Sequence, residues 1–127
     1  MKSSLSQLSA ITLFVKDVVV AKSFYMRVFD IPIQYESADS VVFKLGNTLL
    51  NLLKDTEAEG LLAPVAIVPN SAGQQALFTI TVADVDAECE RLITKGIILV
   101  NGPIDRPWGI RAAIFTDPDG HCWELAQ

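Results

Sequence analysis

The chain carries one pattern twice. Residues 10–17, Ala-Ile-Thr-Leu-Phe-Val-Lys-Asp, match residues 77–84, Leu-Phe-Thr-Ile-Thr-Val-Ala-Asp, at a constant offset of 67. Each segment reads as an apolar strand that ends on an aspartate. Asp17 and Asp84 are each placed to cap a helix, accepting bonds from its free N–H groups. Two copies of one unit in 127 residues leave few architectures open, because the copies must bury similar faces.

The spacing after each aspartate extends the repeat. Val18, Ala21, Tyr25, Val28 and Phe29 recur at helical period and predict a helix over 18–29. A second helix is predicted over 85–95, with Asp86, Glu88 and Glu90 toward its positive N-terminal end and Gly96 as its stop. Three short strands follow each helix: 33–36, 40–45 and 48–53 in the first half, 98–100, 110–116 and 122–126 in the second. Gly46-Asn47 makes a hairpin turn. The reading is α+β: one domain of two βαβββ units, about 8–54 and 76–127, forming curved mixed sheets with helices outside. The linker 55–75 carries an apolar stretch, 61–68, which reads as a strand or extended arm laid against another surface.

Composition narrows the function. Half the residues are apolar, so a packed core is affordable, and no run is long enough to span a bilayer. The net charge is −5 and the basic residues are scattered, which argues against nucleic acid as a partner. The first residues lack an apolar signal core, so a cytoplasmic location is expected. Cys89 and Cys122 read as free thiols. His121 is the only histidine, which excludes a histidine-built metal site and a pair of histidine acid–base catalysts. Alternation puts His121, Trp123 and Leu125 on one strand face and Cys122 and Glu124 on the other. His121 is expected at the surface of a hairpin tip, and Trp123 against the second helix.

The C-terminal end holds the most specific motif. Asp117-Pro118-Asp119-Gly120 reads as a tight turn, with Pro118 presetting φ and Gly120 free to take φ > 0. Arg106-Pro107-Trp108-Gly109 precedes the strand that leads into it, and Glu124 follows on the closing strand. With Val15-x-Asp17, Phe24-Tyr25 and the paired βαβββ layout, this resembles the glyoxalase/bleomycin-resistance/extradiol-dioxygenase superfamily, also called vicinal oxygen chelate proteins. The resemblance covers nearly the whole chain, and the DPDG hairpin followed by Glu is its most specific part.

That resemblance implies a metal site in many members, with ligands from the first and last strands of each unit. Carried over by strand position, those places fall on Ala10, Leu77, Asn51 and Glu124; a shift of one or two residues would offer Thr12 or Thr79, which are still not good ligands. Only Glu124 is a strong donor, so no metal and no other cofactor is expected. The bleomycin-resistance branch, whose members bind a drug without altering it, is the nearest in look. The expected activity is therefore small-molecule binding, with sequestration of a drug or metabolite. The alternative is a metal-dependent lyase, isomerase or dioxygenase with an atypical ligand set. Phe14, Asn51, Trp108, Arg111 and Glu124 are the expected ligand residues. Trp108 either stacks on a flat ring or covers the core edge; Glu124 either meets a polar or cationic ligand or pairs within the protein. The expected partners are a flat aromatic or cationic small molecule and a second copy of the chain.

Overall fold

The computed structural model describes residues 4–127. Strands β1 (Ala10–Val15), β2 (Ile33–Glu36), β3 (Ser40–Leu45) and β4 (Thr48–Lys54) form one sheet with helix α1 (Val18–Phe29) between the first two. A short helix α2 (Ala58–Leu62) follows. Then come β5 (Leu77–Thr81), helix α3 (Val85–Thr94), β6 (Leu99–Asp105), β7 (Arg111–Thr116) and β8 (Cys122–Ala126). The sheet orders are β1-β4-β3-β2 and β5-β8-β7-β6, which is one topology written twice. In each sheet the first strand lies parallel to the last and the other pairs are antiparallel. The fold is thus the α+β, doubled βαβββ arrangement.

The chain divides into two compact units. One runs to Met26 and resumes over Asp30–Ile67; the other comprises Arg27–Phe29 and Val68–Gln127. In the first, Asp17 caps α1 by accepting from the N–H groups of Val19 at 2.9 Å and Val20 at 3.3 Å. Alternation then sorts the strands. Leu13, Val15, Val41, Phe43, Leu50 and Leu52 are buried, and Tyr25 of α1 reaches Phe43 with ring centroids 6.5 Å apart. Full burial of each such side chain is worth about 1.5–3 kcal/mol before entropy is counted.

In the second unit Asp84 caps α3 through the Ala87 N–H at 3.1 Å. Trp123 is buried, and the rings of Phe29, Phe78 and Phe115 lie against it. The Phe29 ring meets it edge-on at 5.7 Å. Two arginines close helix ends reciprocally. Arg91 donates to the Val28 carbonyl at 2.6 Å, and Arg27 donates to the Lys95 carbonyl at 3.1 Å.

Two expectations change. The strand placed at 98–100 extends to Asp105, past Gly102-Pro103, because β6 is an edge strand where Pro103 has no ladder bond to lose. Gly102 is required there: a Cβ would meet the Ala112 carbonyl oxygen and lie 2.7 Å from Ala113 Cα, and its φ is +82°. The apolar stretch 61–68 is not a strand either. Leu61 and Leu62 end α2, and the residues beyond run without regular structure, leaving Leu61, Val65 and Val68 about two-thirds exposed.

Candidate functional site

Each sheet has a packed face and a face opposite it. On the second face of the first sheet, pairing sets Thr12 beside Asn51 and Asn51 beside Val42. In the second sheet the same places hold Thr79, Glu124 and Ile114. These rows are equivalent by topology and register. The metal-ligand places counted along the strands fell on Ala10 and Leu77, but those residues pair with Leu49 and Cys122. The true neighbours of Asn51 and Glu124 are the two threonines.

The rows differ in chemistry. Asn51 Nδ2 donates to Thr12 Oγ1 at 3.4 Å, a long bond, and Asn51 Oδ1 is buried with no hydrogen-bond partner. An unmatched buried acceptor costs about 1–3 kcal/mol. Thr79 Oγ1 donates to Glu124 Oε1 at 2.9 Å. Glu124 is half-buried and has no ion pair among the described residues. Phe14 pairs with Leu53 and shares the face of Thr12 and Asn51, as alternation required.

Trp108 and Arg111 have separate settings. Trp108 is 68% exposed, in the turn joining β6 to β7, with the Arg106 guanidinium 6.0 Å from its ring centroid. The turn closes through Arg106 N–H to Ile110 O at 2.7 Å and Gly109 N–H to Arg106 O at 3.1 Å. Arg111 does not share the Glu124 face. It alternates with Ala113 and Phe115 on the packed side, where its guanidinium holds Asp86 at 2.8 and 2.9 Å and Asp105 at 3.1 Å. The bidentate Arg111 hydrogen bonds hold the Asp86 carboxyl below the usual carboxylate range, and Asp86 and Asp105 raise the arginine's own pKa. The guanidinium is thereby committed within the protein. A groove of about 360 Å³ lies at the foot of this turn, lined by Asp105, Arg106, Gly109, Ile110, Arg111 and Gln127.

The DPDG turn corrects the reading of His121. Its side chain is only 13% exposed, and its Nδ1 lies 2.7 Å from Oδ2 of fully buried Asp117. Asp117 Oδ1 accepts from the N–H groups of Asp119 at 3.0 Å and His121 at 2.8 Å. One carboxylate organises the whole hairpin, so His121 faces inward to it. Sequence spacing held the signal, since the two residues are four apart across a turn.

A metal test follows from the donor chemistry. Each row offers two oxygen-bearing side chains, and across both rows only Glu124 is charged. Among the described residues, no group of three or more His, Cys, Asp or Glu is placed to hold an ion. A structural or catalytic divalent site needs three or four good donors, so this donor set does not fit a resident metal.

The fold and the two rows define a doubled βαβββ protein with polar pairs on the open sheet faces. The family description "Glyoxalase/Bleomycin resistance protein/Dioxygenase superfamily" matches residues 7–125, and the chain belongs to that superfamily. An uncharacterised protein of Mycobacterium tuberculosis strain H37Rv is 28% identical over 121 residues, covering 91% of this chain and 71% of its own. A glyoxalase-related enzyme from Fulvimarina pelagi superposes with a TM-score of 0.84 at 23% identity, covering 96% of this chain and 88% of its own. An antibiotic-binding protein from Streptomyces sp. CB03234 superposes with a TM-score of 0.72 at 26% identity, covering 99% and 98%.

Proposed function

We propose that this protein binds a small organic molecule without a metal ion and holds it unaltered. The observation that carries the reading is the donor chemistry: Ala10 and Leu77 carry no donor atom, the threonines beside Asn51 and Glu124 add only hydroxyls, and Glu124 is the single charged group of the two rows. Similarity to an antibiotic-binding protein at 26% identity supports it. Phe14 and Asn51 are the proposed contacts on the open face of the first sheet; in the second unit Glu124 is the proposed contact, with exposed Trp108 offering a ring to a flat ligand. Arg111 is proposed to fix the turn that carries Trp108 rather than to touch the ligand.

The test combines metal analysis with a thermal-shift screen of aromatic and cationic compounds, run with and without a chelator. Metal-free protein with chelator-insensitive shifts is the expected result. One equivalent of zinc, nickel or iron that survives dialysis, with shifts lost on chelation, would instead favour a lyase, isomerase or dioxygenase.

Two finer readings accompany this one. Free Cys89 and Cys122 support a reducing, cytoplasmic setting, and no helix among the described residues is long and apolar enough to cross a membrane. Exposed Leu61, Val65 and Val68 support a homodimer, which light scattering at micromolar concentration tests directly.

A further inference from the structure

We infer that the ligand is an organic cation that presents N–H groups, such as an amidinium, guanidinium or primary ammonium, and that Glu124 receives it. This rests on the small-molecule-binding reading and names the chemical class that reading leaves open.

Glu124 Oε1 takes the Thr79 hydroxyl, and no other hydrogen bond or ion pair reaches the carboxylate among the described residues. Its row neighbour on the other side is Ile114, and the flanking places on β8 are Cys122 and Ala126. No lysine or arginine stands in that part of the sheet. Arg111, the cation nearest in sequence, faces the other side and is held by Asp86 and Asp105. A half-buried carboxylate on an apolar floor is unfavourable unless a partner supplies charge and donors.

The other unit makes the same request independently. Asn51, at the equivalent place, leaves its carbonyl oxygen buried and unpaired. Its apolar neighbours Leu53, Val42 and Leu49 supply no donor. Each row thus has an acceptor that its own donors leave unmet, the Asn51 carbonyl in one and Glu124 Oε2 in the other. A ligand that is cationic but has no N–H, such as a quaternary ammonium, would satisfy the charge and leave the acceptors unmet. An amidinium satisfies both, because its two N–H groups fit a carboxylate side by side.

The experiment titrates benzamidinium, benzamide and phenyltrimethylammonium into the intact protein, followed by chemical shifts of the labelled chain. The expected order has benzamidinium tightest, by about tenfold over either control. Glu124→Gln, with folding verified by circular dichroism, should lower benzamidinium affinity about tenfold and leave benzamide unchanged. Glu57→Gln, which removes a remote exposed charge, should leave all three unchanged. Phenyltrimethylammonium binding as tightly as benzamidinium overturns the N–H requirement. Benzamidinium affinity equal in wild type and Glu124→Gln, or no benzamidinium binding at all, overturns the inference. The parent reading fails on different grounds, by a retained metal or a chelator-sensitive screen, so the two failures are distinguishable.

Discussion

The central rows of the two sheets, Thr12–Asn51–Val42 and Thr79–Glu124–Ile114, occupy the same register on the same topology and yet do different chemistry. The hydroxyl is kept and the branched apolar residue is kept. The residue between them changes from an amide with an orphaned carbonyl to a carboxylate anchored at 2.9 Å. The packed faces differ much less in kind: Leu13, Leu52 and Phe43 in one unit, Ile80, Leu125 and Phe115 in the other. The doubled frame is therefore held by the packed faces, and the open faces are free to diverge without cost to the fold.

Substitutions in matched pairs test that division, and the largest difference is expected at glycines. Gly102→Ala drives a Cβ into the backbone of β7 and also forbids the φ of +82°. A loss of about 2–4 kcal/mol in urea unfolding is expected. Gly46→Ala, in the hairpin of the other unit, has a φ of +60° but open space around the new methyl. It should cost only about 1 kcal/mol. Equal losses at the two sites would show that the β6–β7 approach is looser than described.

The hairpins come next. Asp117→Ala removes an acceptor shared by two backbone N–H groups and His121, all in a buried turn, and should cost about 2–3 kcal/mol. Asn47→Ala in the exposed Gly46-Asn47 turn should cost under about 1 kcal/mol. A smaller effect of opposite sign is expected in the rows themselves. Asn51→Leu deletes the orphaned carbonyl and extends an apolar neighbourhood, so it should stabilise by about 1 kcal/mol. Glu124→Leu leaves only an exposed Thr79 hydroxyl, which water can satisfy, and should shift stability by less than about 1 kcal/mol while abolishing amidinium binding. A destabilised Asn51→Leu would mean that the amide supports the sheet rather than serving a ligand.

The frame was legible because its signals are local. Period-two strands, helical spacing and the capping aspartates sit within short windows, and the repeat supplies each of them twice. The rows were less legible, because register depends on a partner strand 39 or 45 residues away. Along β1 and β5 alone nothing shows that Thr12 and Thr79, two residues beyond Ala10 and Leu77 on the same face, are the direct neighbours of Asn51 and Glu124. Arg111 was misjudged for the same kind of reason. Its side is fixed by Ala113 pairing with Leu125 and Ile114 with Glu124, which one strand cannot reveal. The strand at 98–100 was drawn too short because Gly102 and Pro103 follow it, although an edge strand tolerates both.

The subtlest contrast lies where each sheet meets its first helical turn. Asp39 and Arg111 occupy equivalent places, since Lys54 N–H donates to Asp39 O at 2.8 Å as Gln127 N–H donates to Arg111 O at 2.9 Å. Val19 stands where Asp86 stands, by the offset of 67. At this place only the second unit therefore ties helix to sheet by an ion pair; the first unit makes its own tie elsewhere, between Lys22 of α1 and Glu36 of β2. The Arg111 hydrogen bonds depress the pKa of Asp86 below its ordinary 3.8. A carboxyl with a depressed folded pKa contributes stability that is present above the unfolded value and lost as pH falls through the folded one. Wild type and Arg111→Met should thus differ most near neutral pH and converge as the pH falls through the depressed folded pKa of Asp86. The gap should be small, because the pair is solvent-exposed and screened, and added salt should narrow it further. Chemical denaturation at several pH values gives the readout. A gap that stays constant into strong acid would assign the effect of Arg111 to its aliphatic packing instead of its charge.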